Sequence, residues 1–220
     1  MQAVIFDCDG TLVDSEQIAN RVLSECVSEL GHAYPIKDRL HGFIGRRLAD
    51  CLAELEEQIN CQLPADFTSI YRQRMAAALK NEVRSFEGVA ALLSRISVPI
   101  CVASSSTQAQ IQLSLEITGL DRHFGTRVFS SYQLGSWKPE PDLFIHAARA
   151  LGAAPEQCVV VEDSLPGILA GIAAGMEVFA FCPGETAAQP PDGVRPFRHF
   201  DELHEEFVRR GFVRDALAFG

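Results

Sequence analysis

Five short runs of the chain are apolar without the alternation of a half-exposed strand: AVIF (3–6), PICVAS (99–104), RVFS (127–130), CVVVE (158–162) and VFAF (178–181). Rich in Val, Ile and Phe, they predict strands of a parallel sheet covered on both faces. Helical patterns separate the last four. TQAQIQLSLEITGL (107–120) carries Ile111, Leu115 and Leu120 and stops at Gly119. PDLFIHAARALG (141–152) opens with Pro141 and Asp142 and closes at Gly152. SLPGILAGIAAGM (164–176) has small residues at 167, 170, 171, 174 and 175, which allow close packing on a sheet. Strand alternating with helix predicts a doubly wound α/β domain.

One interval breaks the alternation. More than ninety residues lie between the first two strands, where a crossover needs about 30. They contain helix patterns at roughly 15–31, 46–60, 66–81 and 87–96 and almost no strand-like run. Residues 15–83 therefore predict an inserted all-helical domain, with 1–14 and 84–220 forming the discontinuous α/β core. At the other end, CPGETAAQPPDGVRP (182–196) predicts a surface loop before a final helix at about 201–210.

Composition narrows the partners. A formal charge of −10 disfavours nucleic acid and anionic membranes. No stretch approaches the roughly 18 apolar residues of a membrane span, and the chain enters a strand without a signal-like segment, so a cytoplasmic protein is expected. The seven cysteines form no C-x-x-C pair and several sit inside apolar runs, which reads as buried free thiols. The six histidines follow no zinc-binding spacing.

In an open parallel sheet, ligands bind beyond the carboxyl ends of the strands. There the chain places Asp7 and Asp9 after the first run, Ser104-Ser105-Ser106 after the second, Lys138 in the loop after the third, and Glu162-Asp163-Ser164 after the fourth. Carboxylates crowded together repel one another, and a hard divalent cation such as Mg²⁺ relieves the crowding while drawing in an anionic phosphate. An aspartate nucleophile then splits one displacement into two. Lys138 supplies a point charge, while Ser104 and the N–H groups of Ser105 and Ser106 can hold phosphate oxygens near a helix start. Asp9, two residues from Asp7, is placed for proton transfer. A calcium loop is excluded, because an EF-hand needs its third ligand at position 5 and glycine at position 6, where this chain has Leu12. Asp14 and Ser15 read as the cap of the next helix.

DCDGTLVDS (7–15), the VAS serine, the KPEPD lysine and VVVEDS (159–164), in that order, resemble the haloacid dehalogenase-like hydrolases, in the branch of phosphatases and β-phosphoglucomutase-like enzymes with a helical cap. The resemblance spans essentially the whole chain. It implies a Rossmann-like core, Asp7 as nucleophile, Asp9 as general acid and base, and Ser104 and Lys138 on the transferring phosphoryl group. It also implies Mg²⁺ held by Asp7, the Asp9 carbonyl and Asp163, with Glu162 at a metal-bound water. Gly10 and Thr11 would form the turn below. The length and motifs are similar to bacterial phosphatases of sugar phosphates and sugar-acid phosphates such as 6-phosphogluconate. The expected partner is thus a small phosphorylated metabolite, and the expected state a monomer or weak homo-oligomer.

Two other readings compete. A phosphosugar mutase of this branch uses a histidine early in the first cap helix and an arginine in a G-x-x-R segment; those positions are Ala19 and Leu48 here. A non-catalytic regulatory domain would show a damaged motif, and none is damaged. For the substrate's far end, Arg46 and Arg47 are the leading candidates, at most one of them facing inward if both lie on a helix. Arg72, Arg74 and Lys80 are weaker ones.

Overall fold

The structure is a computed structural model and describes residues 3–32, 45–184 and 190–213. Six parallel strands form one sheet: β1 (Ala3–Phe6), β2 (Ile100–Ser104), β3 (Val128–Ser130), β4 (Cys158–Glu162), β5 (Glu177–Phe181) and β6 (Arg195–Phe197), in the order β3-β2-β1-β4-β5-β6. The five expected runs are strands, and both faces are buried. Val4 and Phe6 face one side with Val102, Val161 and Phe179. Ala3 and Ile5 face the other with Cys101, Val160 and Val178. Strand order reverses at β1, flanked by β2 and β4, so the crevice beyond these three carboxyl ends is the topological switch point.

The loop expected over 182–196 is shorter than that, because its last two residues begin β6. Arg195-Pro196-Phe197 is short and contains a proline, which only an edge strand tolerates. Burial holds it there: Phe197 stacks on Phe181 at 5.2 Å and meets Phe200 at 5.4 Å.

Between β1 and β2 lie α1 (Glu16–Glu29), α2 (Leu48–Ile59), α3 (Phe67–Glu82) and α4 (Val89–Arg95). In α1, Ile18, Val22, Leu23, Cys26 and Val27 form one buried stripe, packed on α3 through residues such as Tyr71 and Met75. The chain leaves and re-enters side by side: the Asp14 N–H donates to the Arg84 carbonyl at 2.9 Å, and Val13 bridges Ser85 antiparallel. The remaining helices are α5 (Gln108–Thr118), α6 (Asp121–Phe124), α7 (Ser131–Leu134), α8 (Asp142–Ala150), α9 (Leu165–Ala173) and α10 (Phe200–Arg209). Tight packing needs small residues where expected: a Cβ on Gly171 would sit 2.7 Å from Val178 Cγ2 on β5. Among the described residues no helix is long and apolar enough to cross a membrane.

Candidate active site

Past β1 the chain is still held by β4 when it reaches the first carboxylate, for the Asp7 N–H donates to the Val161 carbonyl at 2.9 Å. Gly10 then turns the chain at φ +82°, in the left-handed region that favours glycine. No side chain would fit there either: a Cβ would collide with Asp163 Oδ2 and lie 2.7 Å from Glu16 Oε1. Cys8, between the aspartates, is buried in the apolar cluster.

Lys138 reaches this point from the loop after α7, with its side chain fully buried between Asp7 and Glu162. Its ammonium donates to Asp7 Oδ1, and to Glu162 Oε1 at 2.6 Å. Burial alone would lower its pKa; Asp7 and Glu162 more than reverse that and keep it protonated. The other Glu162 oxygen accepts from the Ser164 N–H at 2.6 Å and the Ser164 hydroxyl at 2.9 Å. Ser164 also caps α9 by accepting from the Gly167 N–H. Gly167 has no room for a side chain, since a Cβ would overlap the Glu162 carboxylate. Both Glu162 oxygens, expected near a metal-bound water, are engaged by Lys138 and the start of α9.

Asp9 is held from two sides. Its Oδ1 accepts from the Ser15 hydroxyl at 2.7 Å, and its Oδ2 from the Ser106 hydroxyl at 2.6 Å, with the Ser104 hydroxyl farther off at 3.5 Å. Gln110 donates to Ser106 at 3.2 Å. Ser15 does stand at the N-cap position of α1, but it makes no side-chain cap bond because its hydroxyl serves Asp9 instead. The Ser104 hydroxyl accepts from the Ser106 N–H at 3.1 Å, and the cap of α5 is Thr107. The Ser105 hydroxyl donates to the Gly45 carbonyl at 2.8 Å, tying β2 to the approach to α2.

Asp163 Oδ1 accepts from Thr11 at 2.7 Å. Burial raises the Asp163 carboxyl well above its usual range, and Glu162, Asp7 and Glu16 add to it. Burial likewise raises Asp7, against the pull of Lys138. In the first turn of α1, burial pushes Glu16 up to about 7, and its Oε1 is buried without a hydrogen-bond partner. Among the described residues no group of three His, Cys, Asp or Glu side chains is gathered as a ready ion cage. The donor chemistry nevertheless fits Mg²⁺, which needs only one or two carboxylates and keeps several waters. Asp7, Asp163 and the Asp9 carbonyl are donors of that kind, and Asp163 Oδ2 and the unpartnered Glu16 Oε1 both lie against Gly10.

Above this floor opens a pocket walled by α1, α2, α3 and the turns after β2 and β3, reaching from Asp7 and Asp9 to Asn20, Tyr71, Arg72 and Tyr132. Arg46 lines it, but its guanidinium forks onto Glu54. Arg47 instead lies over the Trp137 ring at 4.6 Å. The two precede α2, which begins at Leu48 and not at 46 as expected, so they do not share a helix. Of the weaker candidates, Arg74 is paired with Glu29 on the surface, Lys80 is exposed, and Arg72 lines the pocket. Sequence reasoning places Ser106 at the site through its N–H alone and misses its hydroxyl on Asp9, together with Ser15, Glu16 and Gln110. Ser15 and Glu16 read as a helix start, and Gln110 stands one helical turn past Ser106 with no motif to mark it.

A parallel sheet with a lysine-bridged acidic edge at its switch point is the arrangement of an α/β enzyme, with the candidate site at the end of β1. The chain belongs to the haloacid dehalogenase-like hydrolase family, whose model matches residues 1–175. It is 36% identical to the 6-phosphogluconate phosphatase of Escherichia coli K12 over 216 residues, covering 96% of this chain and 97% of that protein. Hexitol phosphatase A of the same organism is 31% identical, over 80% of this chain and 81% of its own. A solved HAD family hydrolase from Deinococcus radiodurans R1, with bound phosphate and sodium, superposes with a TM-score of 0.77 at 31% identity, covering 98% and 99% of the two chains.

Proposed function

We propose that the protein is a Mg²⁺-dependent phosphatase of a sugar phosphate or sugar-acid phosphate, working through an aspartyl-phosphate on Asp7. The observation that carries this is the buried Lys138, which bridges Asp7 and Glu162 beneath the floor of a pocket that Asp7 lines. Whole-chain identity to a 6-phosphogluconate phosphatase supports the substrate class. The paired exit and entry at Asp14 and Arg84 support 15–83 as a helical cap on a core of 1–14 and 84–220.

In this reading the Asp7 oxygen not held by Lys138 attacks phosphorus as the bond to the ester oxygen breaks. Lys138 offsets charge on the phosphoryl group, and the Ser104 hydroxyl and Ser105 N–H hold its oxygens. Asp9, oriented by Ser15 and Ser106, protonates the leaving oxygen and then takes a proton from the water that releases phosphate and restores Asp7. Mg²⁺ held by Asp7, Asp163 and the Asp9 carbonyl, with Glu162 behind them, would supply positive charge facing the phosphoryl oxygens. Ala19 and Leu48 line the pocket where a mutase needs polar groups for a second phosphate, which favours release over transfer.

The test is phosphate release from p-nitrophenyl phosphate and 6-phosphogluconate with and without Mg²⁺. We expect turnover only with the metal, and a kcat lower by on the order of 10³ or more in Asp7→Asn. Undiminished turnover in that variant would sink the mechanism.

A further inference from the structure

We infer that Arg72 is a specificity-determining residue that binds a carboxylate at the end of the substrate remote from the phosphoryl group, so that the substrate class is a phosphorylated sugar acid. The assignment rests on the phosphatase reading above. Its basis is the charge inventory of the pocket. The floor is acidic, with Asp7, Asp9 and Glu16 in its lining, and two lining residues are cationic, Arg46 and Arg72. Arg46 is committed to Glu54 through both terminal nitrogens. Among the described residues no carboxylate pairs with Arg72. Among the described residues its guanidinium interacts with one residue: Nη2 donates to the Tyr132 hydroxyl at 3.1 Å, and its guanidinium carbon lies 5.3 Å from the Tyr132 ring centre. Tyr132 is itself braced edge-on by Trp137 at 5.3 Å.

An arginine anchored through one nitrogen and an aromatic ring keeps the rest of its fork for a planar anion. α3, which carries Arg72, also places Tyr71 and Met75 along the same pocket, an apolar wall for a carbon chain. A neutral polyol end would leave the guanidinium without a counter-charge; a carboxylate there satisfies it bidentately.

The experiment compares 6-phosphogluconate with the hexitol phosphate that has a hydroxymethyl group in place of its carboxylate. The readout is the ratio of the two kcat/KM values for wild type, Arg72→Gln and Arg72→Lys. We expect the wild-type ratio to favour the acid, to fall by about tenfold or more in Arg72→Gln, and to recover in part in Arg72→Lys, which keeps charge without the fork. A ratio in Arg72→Gln within about twofold of wild type overturns the assignment, as does a wild-type preference for the hexitol phosphate. These results leave the phosphatase reading standing. Failure of wild type to release phosphate from any of these esters or from p-nitrophenyl phosphate removes both.

Discussion

Beneath the pocket floor Lys138 has no exposed side-chain surface and two carboxylate partners, whereas at the rim Arg72 is exposed and, among the described residues, its guanidinium interacts with a single tyrosine. Asp9, Glu162 and Lys138 each have two partners or more, drawn from β4, the turns after β1, β2 and β4, and the loop after α7. The rim is drawn from α2, α3 and α7, and its arginines rest on rings or on exposed glutamates. The difference follows from dielectric. A buried charge missing a partner costs several kcal/mol, so the floor admits one arrangement. An exposed charge is screened, so the rim can change residue by residue without unfolding the protein.

The largest expected effect tests the floor. Lys138→Met leaves Asp7 and Glu162 buried without their shared cation, which should destabilise the fold by about 3–5 kcal/mol. It should also lower kcat by on the order of 10² or more. Adding Glu162→Gln should restore part of the melting temperature and none of the turnover. Recovery of both would mean that Lys138 serves the fold alone.

Gly167→Ala probes the same floor one layer further out. The new methyl overlaps the Glu162 carboxylate and must displace it from its place between Lys138 and Ser164, at a cost of about 3 kcal/mol. Gly171→Ala, which crowds Val178 on β5, is the control. Both should lower stability in thermal melts, and Gly167→Ala alone should lower kcat with little change in KM. Equal kinetics in the two variants would detach Glu162 from the chemistry.

The floor was the legible part of the sequence for the same physical reason. Strands buried on both faces leave unbroken apolar runs, and the residues after them converge by topology, so Asp7, Asp9, Ser104, Lys138 and Asp163 could be placed together from order alone. The three-residue edge strand at Arg195 could not, since two of its residues are exposed and it is held by tertiary partners: its ladder with β5, the Arg195–Glu177 ion pair, and Phe197 against Phe181 and Phe200. Nor could hydroxyl direction: Ser15 suits a helix cap and an aspartate equally, and only tertiary structure turns it toward Asp9. The rim was least legible. Arg46, Arg47 and Arg72 are alike in a string of letters, and what separates them is Glu54, Trp137 and Tyr132, two of which lie far along the chain.

The smallest expected effect tests the rim where it meets the floor. Arg47 lies over Trp137, the residue before Lys138, and Trp137 is the chain's single tryptophan. Arg47→Met removes an exposed cation–π contact, worth about 0.5–1 kcal/mol, and a long exposed pairing with Asp50 at 3.8 Å that solvent screens. That corresponds to a change of roughly two- to fivefold in kcat/KM if the contact holds the pocket wall in place, since 1.4 kcal/mol is about tenfold. The intrinsic fluorescence of Trp137 should change in the same variant, because the ring loses its cationic neighbour and no other tryptophan contributes. A loss well beyond about tenfold would show that the rim is built as strictly as the floor, with Trp137 passing the position of the α2 approach directly to Lys138. Altered fluorescence with nearly unchanged turnover would confirm the contrast: the contact is made, but the chemistry below it is held by buried partners of its own.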